Sequence, residues 1–112
     1  MEELDSIFWI KIDGVFYGKA IEEIAYFKSM WPWVKMVAMD EEFSFWESLA
    51  QVQKRVEKQS QHFIRVSRRY YINVCYVKDY TSKEIRMMDD TVIPLTRKNI
   101  ENLRKKVHEN NE

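Results

Sequence analysis

With 112 residues, of which 46% are hydrophobic, 14% aromatic and 32% charged, the chain can bury one core, is too short for two, and is far from the composition of a disordered segment. No apolar run approaches the roughly 18 residues of a spanning helix, and a single cysteine, Cys75, excludes an intrachain disulfide and a thiolate metal cage. Net charge is zero, yet residues 1–50 hold four Lys/Arg against ten Asp/Glu and residues 51–112 hold fourteen against eight, gathered mainly in 65–78 and 97–106, so the fold can present one basic face.

Met1-Glu2-Glu3 lacks a basic stretch followed by an apolar run, so the expected location is cytoplasmic. Ile7-Phe8-Trp9-Ile10-Lys11-Ile12 is rich in β-favouring side chains and runs through Asp13-Gly14 into Val15-Phe16-Tyr17, which predicts a hairpin. Ile24-Ala25-Tyr26-Phe27 and residues 33–39 read as two strands around Ser29-Met30-Trp31-Pro32. Neither parity of the second is wholly polar, so both of its faces should be partly covered. Phe43-Ser44-Phe45-Trp46 is a further strand. From there the period changes: Ser48 and Gln51 have capping-box spacing, and Leu49, Val52 and Val56 recur at helical intervals, predicting a helix over about 48–58.

Phe63-Ile64-Arg65-Val66 and Tyr70-Tyr71-Ile72 read as strands on either side of a polar corner, Ser67-Arg68-Arg69. Residues 74–80, 84–88 and 91–95 complete a run of short strands. Thr96 can cap a closing helix with Ile100, Leu103 and Val107 on one stripe. The fold class is therefore mainly β, a single domain over 1–112 with two short amphipathic helices. Neither helix suits a major groove, since the closing one spends a whole face on the core and no helix-turn-helix spacing precedes it.

Phe63-Ile64-Arg65-Val66-Ser67-Arg68-Arg69-Tyr70-Tyr71-Ile72-Asn73 resembles the signature of LytTR domains, the DNA-binding output domains of bacterial response regulators. Val92-Ile93-Pro94-Leu95-Thr96-Arg97-Lys98-Asn99-Ile100 is similar to the family's closing segment. Ile24-Ala25-Tyr26-Phe27-Lys28-Ser29 and Trp33-Val34-Lys35-Met36 match its strand-loop-strand pair. Departures are Ser67 where His is usual, Arg69 where Ser is, Lys28 where Glu is, and Asp90-Thr91 where an Asp-Gly turn is. The resemblance implies an elongated, multi-sheet antiparallel β fold of about ten short strands whose loops enter successive major grooves. By position it implies DNA contacts at Trp33 and Lys35, at Ser67, Arg68 and Arg69, and at Arg97, Lys98 and Asn99. It further implies duplex sites built as direct or imperfect repeats, pairing of the domain on DNA, and a preceding receiver or membrane segment in a longer regulator. Arg and Lys suit guanine, Asn suits adenine, and Ser suits phosphate.

Each feature also has a plainer reading. Arg68 and Arg69 could be solvated turn residues, Lys105 and Lys106 complement a helix C-terminus, and Asn73 should bond local backbone. Trp9, Trp31, Trp33 and Trp46 suit core packing better than a base-stacking platform, except that Trp31-Pro32-Trp33 could equally stand exposed. His62 and His108 belong on the surface, Asp40-Glu41-Glu42 and Asp89-Asp90 in turns, and Cys75 in the interior as a small hydrophobe. Nucleophile–base pairs, carboxylate dyads and Gly-rich phosphate loops are all missing, so neither an enzyme nor a cofactor is expected. The alternative function is a β-sandwich interaction module that binds a protein or membrane surface through exposed aromatics and the basic corner.

Overall fold

The computed structural model describes residues 6–110; the reading of Met1-Glu2-Glu3 lies outside them. Strands β1 (Ile7–Ile12) and β2 (Val15–Ala20) form the expected antiparallel hairpin. Its turn residues Asp13 and Gly14 have φ of 51° and 81°, the left-handed pair that a two-residue hairpin connection requires. Phe8 and Ile10 point inward and are buried, while Trp9 and Lys11 alternate outward.

Five strands make the central sheet: β3 (Ile24–Met30), β4 (Trp33–Ala38), β5 (Glu42–Trp46), β6 (Phe63–Arg65) and β7 (Tyr70–Asn73), ordered β5-β4-β3-β7-β6. All its pairings are antiparallel. Helix α1 (Leu49–Glu57) starts at a complete capping box: the Gln51 amide donates to the Ser48 hydroxyl at 3.1 Å, and the Ser48 amide to the Gln51 side chain at 3.0 Å. A third sheet, ordered β10-β9-β8, is built from β8 (Val77–Tyr80), β9 (Glu84–Met87) and β10 (Val92–Pro94). Helix α2 (Arg97–Asn110) closes the chain, with the Asn99 amide donating to the Thr96 hydroxyl. The domain is mainly β and elongated, 42 × 33 × 24 Å.

The central sheet is covered on both faces. On one, Phe27, Val34, Met36, Phe45, Phe63 and Tyr71 pack beneath Phe8 and Ile10 of the hairpin and Leu49, Val52 and Val56 of α1. On the other, Tyr26, Val37 and Ile72 meet Ile85, Met87 and Ile93 of the third sheet and Leu103 of α2. Successive residues of β3 and β4 thus enter different cores, which accounts for the mixed parity seen in the sequence. Arg55 fastens the hairpin to α1. Its guanidinium lies 4.0 Å from the Phe8 ring centre, donates to the Trp9 carbonyl and is held by Glu47.

Several expectations are corrected. β3 runs on through Ser29 and Met30, so only Trp31 and Pro32 form the turn. Residues 74–76 are a 3-10 turn instead of strand, because the Asn73 side chain accepts the Cys75 amide at 3.0 Å and folds the backbone over. Cys75 is exposed. Trp9 and Trp46, expected in the core, are 49% and 69% exposed, and for Trp31 and Trp33 the exposed alternative holds, at 82% and 44%, the core aromatics being the phenylalanines and tyrosines named above. Lys105 and Lys106 precede the last turn of α2, and Lys106 bonds the Gln61 carbonyl.

Asn73, by contrast, is the structural residue expected. It is buried, and its amide also donates to the Ile24 carbonyl at 3.1 Å, joining the end of β7 to the start of β3. Truncation leaves a buried carbonyl unpaired, so Asn73→Ala should lower unfolding stability by about 1–3 kcal/mol. Urea denaturation at constant m-value measures it, with the exposed Asn102→Ala as a control expected within about 0.5 kcal/mol of the parent.

Candidate nucleic-acid interface

The second face of the central sheet is longer than what covers it. Registered side by side across four strands lie Tyr70, Lys28, Lys35 and Ser44, one row beyond the buried Ile72–Tyr26–Val37 row. Two residues further on come Met30, Trp33 and Trp46. Because side chains two apart share a face, both rows continue the same surface, and both are half-buried or exposed. Lys28 sits 5.6 Å from the Tyr70 ring centre, and Trp33 meets Trp46 edge to face at 4.7 Å. Trp33 and Lys35 thus belong to one surface, as the strand spacing required. Lys28, Tyr70 and Trp46 join them only through cross-strand register, a signal that no single segment carries.

The Ser67-Arg68-Arg69 corner stands at this same end of the sheet. It connects β6 to Tyr70, and the Ser29 amide donates to the Arg69 carbonyl at 2.7 Å. The start of α2 reaches it too, since the Asn99 side chain donates to the Val66 carbonyl at 2.7 Å. The two basic segments of the sequence are therefore brought together. Arg68, Arg69, Arg97 and Lys98 are exposed there; Ser67 is half-buried, and its hydroxyl accepts the Arg69 amide. Asn99 is half-buried with its amide group engaged as a brace, and Lys35 is paired with Glu42 at 3.1 Å.

Ion pairing alone does not set this end apart, since among the described residues Lys11, Lys54, Lys58, Lys83, Lys105 and Lys106 also lack a carboxylate within ion-pair distance; the gathering of cations here does. Lys19, Lys78, Arg55, Arg86 and Arg104 each lie against a carboxylate. Among the described residues, Lys28, Arg65, Arg68, Arg69, Arg97 and Lys98 have none within ion-pair distance. At the opposite end of the sheet, Lys19 gathers Glu23, Asp40 and Glu41. The sequence polarity has become a spatial one. Helix α2 sharpens it, because its first turn contains no acidic residue and begins Arg97-Lys98, two cations set against the positive end of the helix dipole. That arrangement opposes helix stability and favours an anion placed nearby.

A β domain that offers a cationic corner, a helix start and an open sheet face together has the form of a loop-presenting nucleic-acid module. The LytTr DNA-binding domain family model matches residues 15–108, and the chain belongs to that family of response-regulator output domains. It is similar in fold to a solved LytTr DNA-binding domain, from a methyl-accepting/DNA response regulator of Bacillus cereus. The TM-score is 0.71 at 18% identity, covering 91% of this chain and 96% of that one. A comparison with curated proteins finds no match. No helix among the described residues is long and apolar enough to cross a membrane.

Surface tryptophans make a direct optical test. Acrylamide should quench the native fluorescence with a Stern–Volmer constant more than half that of the urea-unfolded chain, because all four indoles meet solvent. A blue-shifted, quench-resistant emission would show that the indoles are packed. Cys75 supplies a second test: although the residue is exposed, shielding of its sulfur, and then the Glu22 carboxylate, hold the thiol above its ordinary range. Iodoacetamide at pH 7.5 should therefore alkylate it more slowly than it does free glutathione, the rate climbing only at higher pH.

Proposed function

We propose that this domain binds double-stranded DNA sequence-specifically in the cytoplasm as the output module of a transcription regulator, without catalysis or cofactor. The corner at residues 67–69 and the start of α2 meet the duplex, and the open rows of the sheet lie alongside it. The observation that carries the reading is the contiguous set of cations without carboxylate partners at one end of a LytTR-family chain. Charges left unpaired beside one another repel, and a phosphate backbone is the natural counter-ion for them. Arg68, Arg69, Arg97 and Lys98 supply base-edge or phosphate contacts, Ser67 a hydroxyl, and Trp33 and Lys35 the flank. The limited footprint favours direct or imperfect repeats occupied by two copies, and a receiver domain is the fitting partner in a longer chain.

The exposed Trp31 and Trp46 favour a second reading, in which this end of the sheet docks a protein or membrane surface. Ionic strength separates the two, since apolar docking is nearly insensitive to salt and phosphate binding is not.

In-vitro selection from random duplexes, followed by titration against salt, tests the proposal. The expected result is an enriched repeat and an affinity falling linearly with log salt at about 0.9 per phosphate contact. Arg68→Ala should cost roughly 1–3 kcal/mol and relax preference at one base position if it reads a base edge, or flatten the salt slope by about one unit if it holds phosphate. Lys98→Ala should behave in the same way and Lys106→Ala should do little. Failure to enrich any duplex, or no effect from Arg68→Ala and Lys98→Ala in folded protein, overturns this reading.

A further inference from the structure

Four consecutive carbonyls of the basic corner all accept hydrogen bonds from within the domain. The Val66 oxygen accepts from Asn99 Nδ2 at 2.7 Å, and the Ser67 oxygen from Arg65 Nε at 2.9 Å. The Arg68 oxygen accepts from Arg65 Nη2 at 2.9 Å, and the Arg69 oxygen from the Ser29 amide at 2.7 Å. Arg65 supplies the two central bonds from one edge of its guanidinium. The other side is anchored by Nη1 donating to Gln53 Oε1 on α1 at 3.1 Å. Arg65 itself is half-buried, and its acceptors are neutral oxygens.

We propose that Arg65 is a positioning residue for the DNA-reading corner, a clamp that turns the corner's carbonyls away from the duplex so that the Arg68 and Arg69 side chains project toward it. The proposal rests on the reading of this corner as a DNA contact. Its physical basis has three parts. A carbonyl oxygen carries partial negative charge, so a corner showing four of them outward would repel the phosphates that its side chains attract. Backbone held by several bonds meets the duplex with its ordering cost already met by folding. Lastly, the planar fork is required: Nε and Nη2 bond two successive carbonyls while Nη1 holds α1, a geometry an ammonium on a flexible stem does not reproduce. The guanidinium keeps its charge through burial and, having no carboxylate partner, leaves its field acting on the corner.

Arg65→Lys separates positioning from charge, because it retains the cation and removes the fork. With a selected duplex and a scrambled duplex of equal length, the ratio of affinities should fall roughly tenfold or more, as loss of charge-assisted bonds implies. The salt slope should stay within about 0.5 of the parent value. Amide hydrogen exchange at residues 67–69 in the free protein should accelerate while that of the β3 and β7 core amides does not. Gln53→Ala, which removes only the anchor on α1, should act in the same direction with roughly a two- to fivefold loss, and decides the matter should Arg65→Lys fail to fold. Parent-like discrimination by folded Arg65→Lys, or by Gln53→Ala in that event, overturns the clamp. So does Arg65→Gln if it flattens the slope by about one unit at undiminished discrimination, since Arg65 would then be a direct phosphate contact. A parent chain that selects no duplex at all sinks the DNA reading itself and this role with it, an outcome distinct from loss of the clamp alone.

Discussion

The structure depends on the coverage of strand β3. Over Ile24 to Phe27 it is buried on both faces, between the hairpin and α1 on one side and the third sheet with α2 on the other. At Lys28 the second cover stops, although the strand continues to Met30 along β4, pairs β7 as far as Lys28, and bonds the Arg69 carbonyl through the Ser29 amide. A central strand paired along both edges up to Lys28 and open on one face from there presents side chains in fixed register, with its backbone groups engaged in the ladders. The corner at residues 67–69 and the start of α2 lie beside that open stretch.

This end of the domain is assembled against electrostatic resistance. Six cations stand without carboxylate partners at this end, and α2 opens with two of them at the wrong pole of its dipole. The two cores supply the stability that tolerates this, and Glu23, Asp40 and Glu41 are gathered at the far end by Lys19. Local rules of helix design are broken where an anionic partner is expected, and obeyed at α1, where the capping box is complete and Lys54 and Arg55 occupy the last turn. Such a contrast between two helices of one domain points to function more firmly than either helix alone.

Much of the fold was legible because the signals are local. Asp13-Gly14 has the backbone freedom of a tight turn, Ser48 and Gln51 are three apart, and Ile100, Leu103 and Val107 share a helical stripe. Whether an outward strand residue meets another sheet or solvent is not a local property. That is why Trp9 and Trp46, set in good strand sequence beside aliphatics, read as core residues and lie at the surface, and why the sequence left Trp31 and Trp33 open between the two. Residues 74–76 escaped for a different reason, since the preceding Asn73 side chain captures the next turn, and the same bond helps to turn Cys75 outward. The corner's cations were readable from composition and motif. The row Tyr70–Lys28–Lys35–Ser44 and the inward grip of Arg65 exist only once four strands are in register.

The separation of acidic and basic ends has a kinetic side. A body with zero net charge is drawn only weakly toward a polyanion from afar, but its separated charges experience a torque that grows as the distance closes. Such a domain meets a charged rod already turned to one pole, with orientation chosen before contact and few wrong-way encounters to undo.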